Sequence, residues 1–495
     1  MATLLRLLPI LLASALLGAC ATVTNPVTGR EERTVMDVQS EIAAGRQAHQ
    51  QVLAEYGVYD NERVQARVRD IGQRLAAQSH RPELQWTFTV LDSPEINAFA
   101  LPGGFVYVTR GIMAYMESEA DLAGVIGHEI GHVTARHSAQ RATREQTAGL
   151  GVLAATVLGV VLEGSGVSGA GRVASQVSQG VAAGYIASYS REQELQADRL
   201  GAEYLARNGY NPRNMIDVIG VLQNQERFAA DTARAEGRAP PAGPDWLASH
   251  PSNEQRLQQI RATAAKYQGK YGDDGRARYL QTIAGLRFGD SPEQGLVRGR
   301  EFFHESLGIA LTVPKGWRIR NAPDAVTMVN AAGDAGLVMK MVPPKAGAEH
   351  AEIIRNVFQP VEGRTERRNL NGLAATHVVG TRRTSQGAQA FVATIVSGPS
   401  NRNYALLYAA KDSASLQRSL AQLREAEASF RAMSAADRSR AKAWSIVTVP
   451  YPRGGFAELA RGSPLPGDAQ RHLRLLNGFY AGGEPKVGQL VKVVR

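Results

Sequence analysis

The sequence predicts an α+β chain: a mainly helical metal-site domain with a small antiparallel sheet, then an α+β domain and a short tail of two strands and two helices. Three observations predict it. Apolar residues recur every three or four positions through most of Met36 to Phe228, the period of an amphipathic helix, whereas Gln85 to Leu91 alternates with period two. Past Tyr279 the composition shifts to alternating strand patterns separated by turns. The run Ala120 to Ala135, apolar at helical spacing, carries Gly127-His128-Glu129-Ile130-Gly131-His132. With 495 residues, 44% of them hydrophobic, the chain suffices for about three domains with substantial cores.

Near the start, Arg6 precedes an apolar run, Leu7 to Leu17, too short to span a bilayer. Leu17-Gly18-Ala19-Cys20 then resembles a bacterial lipobox. That resemblance places a lipoprotein signal peptide at residues 1–20 and implies that the leader before Cys20 is removed, that Cys20 becomes the acylated first residue and, with Ala21 rather than Asp next, that the protein is delivered to the outer membrane facing the periplasm. An ordinary secretory signal cut at a small-residue site is the alternative. Cys20 is the single cysteine, so no intramolecular disulfide can form. Residues 21–35, polar with Pro26 and Gly29, read as a tether. Helices are expected over Met36 to Tyr56 and Asn61 to Gln78. Strands are expected over Gln85 to Leu91, Asn97 to Leu101 and Phe105 to Thr109, the last two joined at Pro102-Gly103-Gly104. The edge of that sheet offers main-chain bonds to an extended peptide; a hairpin that only packs on the core is the alternative.

The H-E-x-x-H stretch carries the chemistry. Residues four apart on a helix lie about 40° apart around its axis, so His128 and His132 can share one metal ion. Glu129, about 100° from His128, stays off the metal but near the water such an ion activates, where a carboxylate acts as general base. Ten His in the chain put chance occurrence of the motif on the order of 0.01. Ser118 followed by Asp121 reads as a capping box at the helix start.

A hydrolytic zinc site needs a third protein ligand and one open position. In the pattern H-E-x-x-H-x-x-G-x-x-H that ligand would follow His132 by six residues, but Ser138 stands there, and Ala135 replaces the glycine. His137 lies about 180° from His128 on a continued helix and is expected to face away as a solvated or structural residue. A second helical pattern, Ser190 to Leu205, offers Glu194 and Asp198, four apart on one face. Glu194 can bind the ion while Asp198 holds a ligand histidine by its other ring nitrogen. Glu192 is about 200° from Glu194, so only one of the two can face the site; an acidic helix start needs no further role.

Together, His128-Glu129-x-x-His132, Glu194-Leu195-Gln196-Ala197-Asp198 and Asn97-Ala98-Phe99-Ala100-Leu101-Pro102-Gly103-Gly104 resemble the metallopeptidase family that includes HtpX and the CAAX prenyl proteases, and in particular its periplasmic lipoprotein branch. The likeness runs from Met36 to Leu257. It implies a zinc metalloendopeptidase of the gluzincin type with one Zn2+ per chain. Glu129 would be catalytic, His128, His132 and Glu194 the metal ligands, Asp198 their support, and Asn97, Ala98, Phe99 and Ala100 a substrate-pairing edge strand. His250-Pro251, with Arg256 six residues on, also matches that branch. This implies that His250 is a removable fourth ligand and that Arg256 lines the site. With His250 in the water position the enzyme would be latent; a loop histidine bonded to backbone is the alternative. Ala148 to Leu162, about fifteen apolar residues, falls short of the roughly twenty needed to cross a bilayer. It reads as a buried or site-covering helix, where HtpX-like relatives are transmembrane.

Asn208 to Pro212 stops the Glu194 helix, another runs through Phe228, and Ala230 to Pro244 reads as a mobile loop. The metallopeptidase domain is placed at residues 36–285. Residues 300–432 read as an α+β accessory domain: strands within Phe302 to Val342, a helix over Ala346 to Gln359, strands near Ala374–Val379, Ala390–Val396 and Asn403–Ala409, and a helix from Ser413 to Phe430. It faintly resembles the fold shared by PsbP-like and Mog-like proteins. Residues 443–495 look like a degenerate LysM module, which implies peptidoglycan as a candidate partner, although Pro452-Arg453-Gly454-Gly455 stands where its Gly-Asp turn belongs.

A net charge of +10 with no nucleic-acid motif and no long basic run argues against nucleic acid as a partner and fits anionic lipid or envelope surfaces. Two function classes remain. One is a peptidase anchored to the membrane through lipidated Cys20 in the bacterial cell envelope, acting on unfolded or misassembled envelope proteins. The other is a metal-plugged chaperone or assembly factor for outer-membrane proteins, acting through its C-terminal domains. The intact Glu129 favours the first.

Overall fold

The computed structural model describes residues 21–148, 189–235, 237, 250, 254–322, 325–384 and 387–495. The expected leader with Cys20 (residues 1–20), the Gly/Ala-rich span after Ala148 and most of the segment before His250 lie outside the described residues. Helices and strands are mixed throughout, an α+β composition. The chain divides into two compact units, one of residues up to Leu286 together with Ser445–Arg495, the other Arg287–Trp444.

The first unit opens with an antiparallel hairpin of β1 (Ala21–Thr24) and β2 (Glu31–Thr34) where composition predicts a tether. Asn25 makes the difference. Its Oδ1 accepts from the N–H groups of Val27 and Thr28, and its Nδ2 donates to Ala135 O at 3.1 Å. Helix α1 (Val38–Tyr56) starts at Asp37, whose carboxylate accepts from Ser40 N; α2 (Glu62–Ala77) starts at Asn61 in the same way.

Three short strands follow: β3 (Thr87–Leu91), β4 (Ala98–Leu101) and β5 (Phe105–Thr109), in the order β3-β5-β4. The expected antiparallel sheet is mixed. β4 pairs antiparallel with β5 through the Pro102–Gly104 turn, which occupies one edge of β5, and β3 pairs parallel on the other. Phe99, Leu101 and Tyr107 pack on Ala48 and Val52 of α1. Asn97 lies just outside β4 and accepts at its carbonyl from Thr109 N, a directly opposed, hydrogen-bonded pair. By alternation Phe99 and Leu101 also bond to β5, so Ala98 and Ala100 direct their N–H and C=O away from it, along the outer edge of the sheet.

Further helices of this unit among the described residues, before the tail, are α3 (Arg110–Tyr115), α4 (Glu119–Thr134), α5 (His137–Ala148), α6 (Arg191–Arg207), α7 (Asn214–Ala235), α8 (Glu254–Ala264) and α9 (Arg276–Ile283). α7 extends through residues expected to be loop, since alanine and arginine are good helix formers and Ala233 finds a buried position. Among the described residues no helix is long and apolar enough to cross a membrane.

The tail, read from sequence as a module of its own, belongs to this first unit. Its strands Trp444–Pro450 and Leu490–Val494 pair antiparallel around the helices Gly455–Ala460 and Ala469–Leu476. Lys492, fully buried, donates to Ala114 O at 2.8 Å and Met116 O at 2.7 Å and pairs with Glu117 Oε1 at 2.8 Å. A lysine within a strand reads as a solvent-facing position; here it caps the last turn of α3 instead.

The second unit is built on a seven-stranded antiparallel sheet, with Ser413–Ala428 packed against Ala335–Met341 and Asn403–Ala410, and a four-stranded antiparallel sheet beside it. Phe302, Trp317, Met328, Leu406 and Phe430 lie in its main core. The helix expected over Ala346 to Gln359 is broken into short 3-10, α and π turns.

Candidate metal centre

Helix α4 is buried on every side, its polar Glu119, Asp121, His128, Glu129 and His132 included. Ser118 Oγ caps it by accepting from Asp121 N at 3.1 Å, but the expected capping box does not close. The Asp121 carboxylate instead accepts from Glu117 N and from Asn214 Nδ2. α6 crosses α4 along a stripe of small residues. A Cβ on Gly131 would meet Ala197 O at 3.0 Å, and one on Gly201 would meet His128 N at 3.1 Å. Glycine on both helices lets the backbones approach closely enough for their side chains to share one site.

That crossing brings His128, His132 and Glu194 together, and His250 joins them; one ligand atom from each lies within 4.8 Å of all the others, and all four residues are buried. His128 Nε2 is 3.0 Å from His132 Nε2 and 3.2 Å from His250 Nδ1. Glu194 Oε1 is 2.9 Å from His250 Nδ1 and 3.4 Å from His132 Nε2, and Glu194 Oε2 is 3.5 Å from His128 Nε2. Ligands about 2.0–2.1 Å from a tetrahedral Zn2+ stand roughly 3.3–3.5 Å apart. The donor set and spacings therefore fit one such ion. Glu129, also buried, lies beside the quartet with Oε1 3.6 Å from His250 Nε2. Glu192 is exposed, which separates it from Glu194.

The groups behind the candidate ligands differ. Asp198 Oδ1 is 2.9 Å from His128 Nδ1, and Asp198 is itself gripped by Arg256. Arg256 also donates to His250 O at 3.1 Å. His137 does not face away. Its Nδ1 is 2.9 Å from His132 Nδ1, and its Nε2 is 3.1 Å from Gln196 Oε1. Helical extrapolation fails because α4 ends at Thr134 and Arg136 adopts a left-handed φ of 59°, held by Glu41 and Met36 O, which turns the chain so that α5 begins at His137. Tyr189, which no motif singled out, stacks on His132 with ring centroids 3.9 Å apart and bonds Ser138. An aromatic directly before the helix-capping Ser190 was the only signal available.

Burial and charge pull the titrating groups apart. For His128, burial opposes the charged form, but Asp198 and Glu194 outweigh it and raise the ring to about 9. Burial drives His132 well below its ordinary value and lowers His137 to about 4. Burial alone would raise Glu194 and Asp198; the charges of His250 and Arg256 on the first, and of Arg256 on the second, hold both low.

Residues 62–264 match the model of Peptidase family M48. The chain is 27% identical over 243 residues to a beta-barrel assembly-enhancing protease of Yersinia pestis (48% of this chain, 47% of that one) and 28% identical over 245 residues to one of Escherichia coli strain K12 (49% and 47%). It is 30% identical over 200 residues to the mitochondrial metalloendopeptidase OMA1 of Arabidopsis thaliana (40% and 36%). The chain thus spans about half, or less, of the length of these relatives. They stand at the family level with the resemblance drawn from the motifs, although none of them is named as an HtpX or prenyl protease. Among solved structures, cyanobacterial PsbP of Synechocystis sp. PCC 6803 matches at 12% identity and a TM-score of 0.21, over 29% of this chain and 98% of that one, and carries no argument. A metallopeptidase match, relatives named as metalloendopeptidases and a buried three-histidine, one-carboxylate cluster coincide in one unit.

Proposed function

We propose that the chain is a zinc-dependent metalloendopeptidase, lipid-anchored at Cys20 in the bacterial envelope, that hydrolyses unfolded or misassembled envelope proteins. The convergence of His128, His132, Glu194 and His250 within 4.8 Å, with Glu129 beside them, carries this reading. His128, His132 and Glu194 would hold the ion. A divalent cation held there supplies Lewis-acid polarisation of a peptide carbonyl and acidifies water. Glu129 takes the proton from the attacking water and delivers it to the departing amine. Asp198 orients His128, and Arg256 keeps Asp198 and Glu194 ionised. An extended substrate lies along β4, bonding to the main chain of Ala98 and Ala100 in a manner that reads little sequence. The names of the two bacterial relatives support an envelope substrate.

A second reading rests on His250 itself. Its Nδ1 lies among the other three ligand atoms; with an ion bound there, His250 would fill the position that the attacking water needs, the resting protein would be latent, and an assembly or chaperone role would not require hydrolysis. The test is cleavage of casein by the protein beginning after Cys20, with Glu129→Gln alongside. Cleavage by the wild type, lost on chelation and in the variant with metal retained, is expected. No cleavage by wild type but cleavage by His250→Ala supports latency. No cleavage by either, with zinc bound, overturns the peptidase reading.

A further inference from the structure

We infer that His137 is a positioning residue for the metal ligand His132, and that Gln196 sets the orientation in which it works. The inference rests on the metallopeptidase reading and extends it to two residues outside the ligand set. His132 can offer a lone pair at Nε2 only if its proton sits on Nδ1. Nδ1 faces His137 Nδ1 at 2.9 Å, so His137 must accept there and carry its own proton on Nε2. Nε2 faces the carbonyl oxygen of Gln196 at 3.1 Å, which is an acceptor. Only one arrangement satisfies the whole row: His132 donates to His137, and His137 donates to Gln196. Both histidines are buried, so water does not substitute for either partner.

The two ligand histidines are thereby supported unequally. His128 faces a carboxylate, Asp198, whereas His132 faces a neutral imidazole and, through it, a neutral amide. The arrangement gives His132 direction without adding a fourth anion to a pocket that already holds Glu129, Glu194 and Asp198. Gln196 sits on α6 between Glu194 and Asp198, so the helix that supplies the carboxylate ligand also orders the protons on the second histidine.

The experiment measures Zn2+ affinity by chelator competition, the visible spectrum of the Co2+-loaded protein and the melting temperature of the metal-free protein for wild type, His137→Phe, His137→Asn, Gln196→Met and Gln196→Glu. Asparagine and glutamate keep an acceptor at the required place; phenylalanine and methionine do not. His137→Phe and Gln196→Met are expected to bind Zn2+ about 10- to 100-fold more weakly with an altered Co2+ spectrum. His137→Asn and Gln196→Glu should return close to wild type. Wild-type affinity in His137→Phe, or affinity as poor in His137→Asn as in His137→Phe, overturns the assignment and leaves His137 as packing. Should His137→Phe fail to fold, unchanged binding in Gln196→Met overturns it equally. A wild type that binds no divalent ion overturns the metallopeptidase reading as well, which the other outcomes leave intact.

Discussion

Arg256 grips Asp198 with two hydrogen bonds, Nε to Oδ2 at 2.6 Å and Nη2 to Oδ1 at 2.8 Å, and its Nη1 lies 3.0 Å from Glu194 Oε2. One buried cation therefore balances both Glu194 and Asp198, the carboxylate behind His128. Arg256→Met leaves two buried anions without it. The metal-free protein should lose about 3–5 kcal/mol, and Zn2+ affinity should fall by about 10- to 100-fold. Arg256→Lys recovers little, because an ammonium cannot match the planar fork. Denaturant melts of the metal-free protein with chelator competition check both effects; a wild-type melt in Arg256→Met would show the cation to be dispensable.

Gly131 sets the spacing of the two metal helices, since any Cβ there presses on backbone atoms of Ala197. Gly131→Ala should cost about 1–3 kcal/mol despite alanine's better helix propensity, and should weaken metal binding by displacing Glu194 from the histidines. Gly220, where a Cβ meets nothing within 4 Å, is the control: Gly220→Ala should be neutral or stabilising. Thermal melts of both variants decide it.

If substrate pairs with β4, the two residue sets of that strand respond differently to proline. Ala100→Pro removes a donor directed away from β5 and should lower kcat/KM on an extended peptide while metal binding is kept. Phe99→Pro removes a bond of the β4–β5 ladder and buried packing, and should reduce stability itself. Equal peptide cleavage by Ala100→Pro and wild type would remove β4 as the docking strand.

His472 joins the tail to Tyr115, and burial lowers it from 6.5 to about 4. The unfolded chain therefore takes up a proton near pH 6.5 that the folded chain refuses until about pH 4. Stability from this group is present above pH 6.5 and is lost as pH falls through that window, by about 2 kcal/mol at pH 5. His472→Gln should flatten the slope of stability between pH 7 and pH 5. An identical slope in the variant would place the acid sensitivity elsewhere.

Local rules reached the parts of the site that are local. Residues four apart on α4, and four apart on α6, share faces because helical geometry demands it, and Ser118 marks a helix start because its side chain answers an unpaired backbone N–H. The same rule misled at His137, since nothing between His132 and His137 signals that Arg136 leaves the helix; a buried Glu41, remote in sequence, holds that turn. β3 was expected to run antiparallel because strand patterns carry no direction, and the tail was expected to stand apart because alternation cannot tell a buried lysine from an exposed one.

The sequence by itself determined an α+β chain whose two metal helices each present their candidate ligands on one face, because those properties depend on residues within one helical turn. Only the tertiary structure shows that His250 lies with His128, His132 and Glu194 within 4.8 Å, that Glu192 is exposed, that His137 and Tyr189 contact His132, and that the tail belongs to the first unit. Apart from the His132–His137 contact, these depend on a close approach between segments far apart in the chain, and at the α4–α6 crossing Gly131, Gly201 and the Arg256–Asp198 pair set distances that no local pattern encodes.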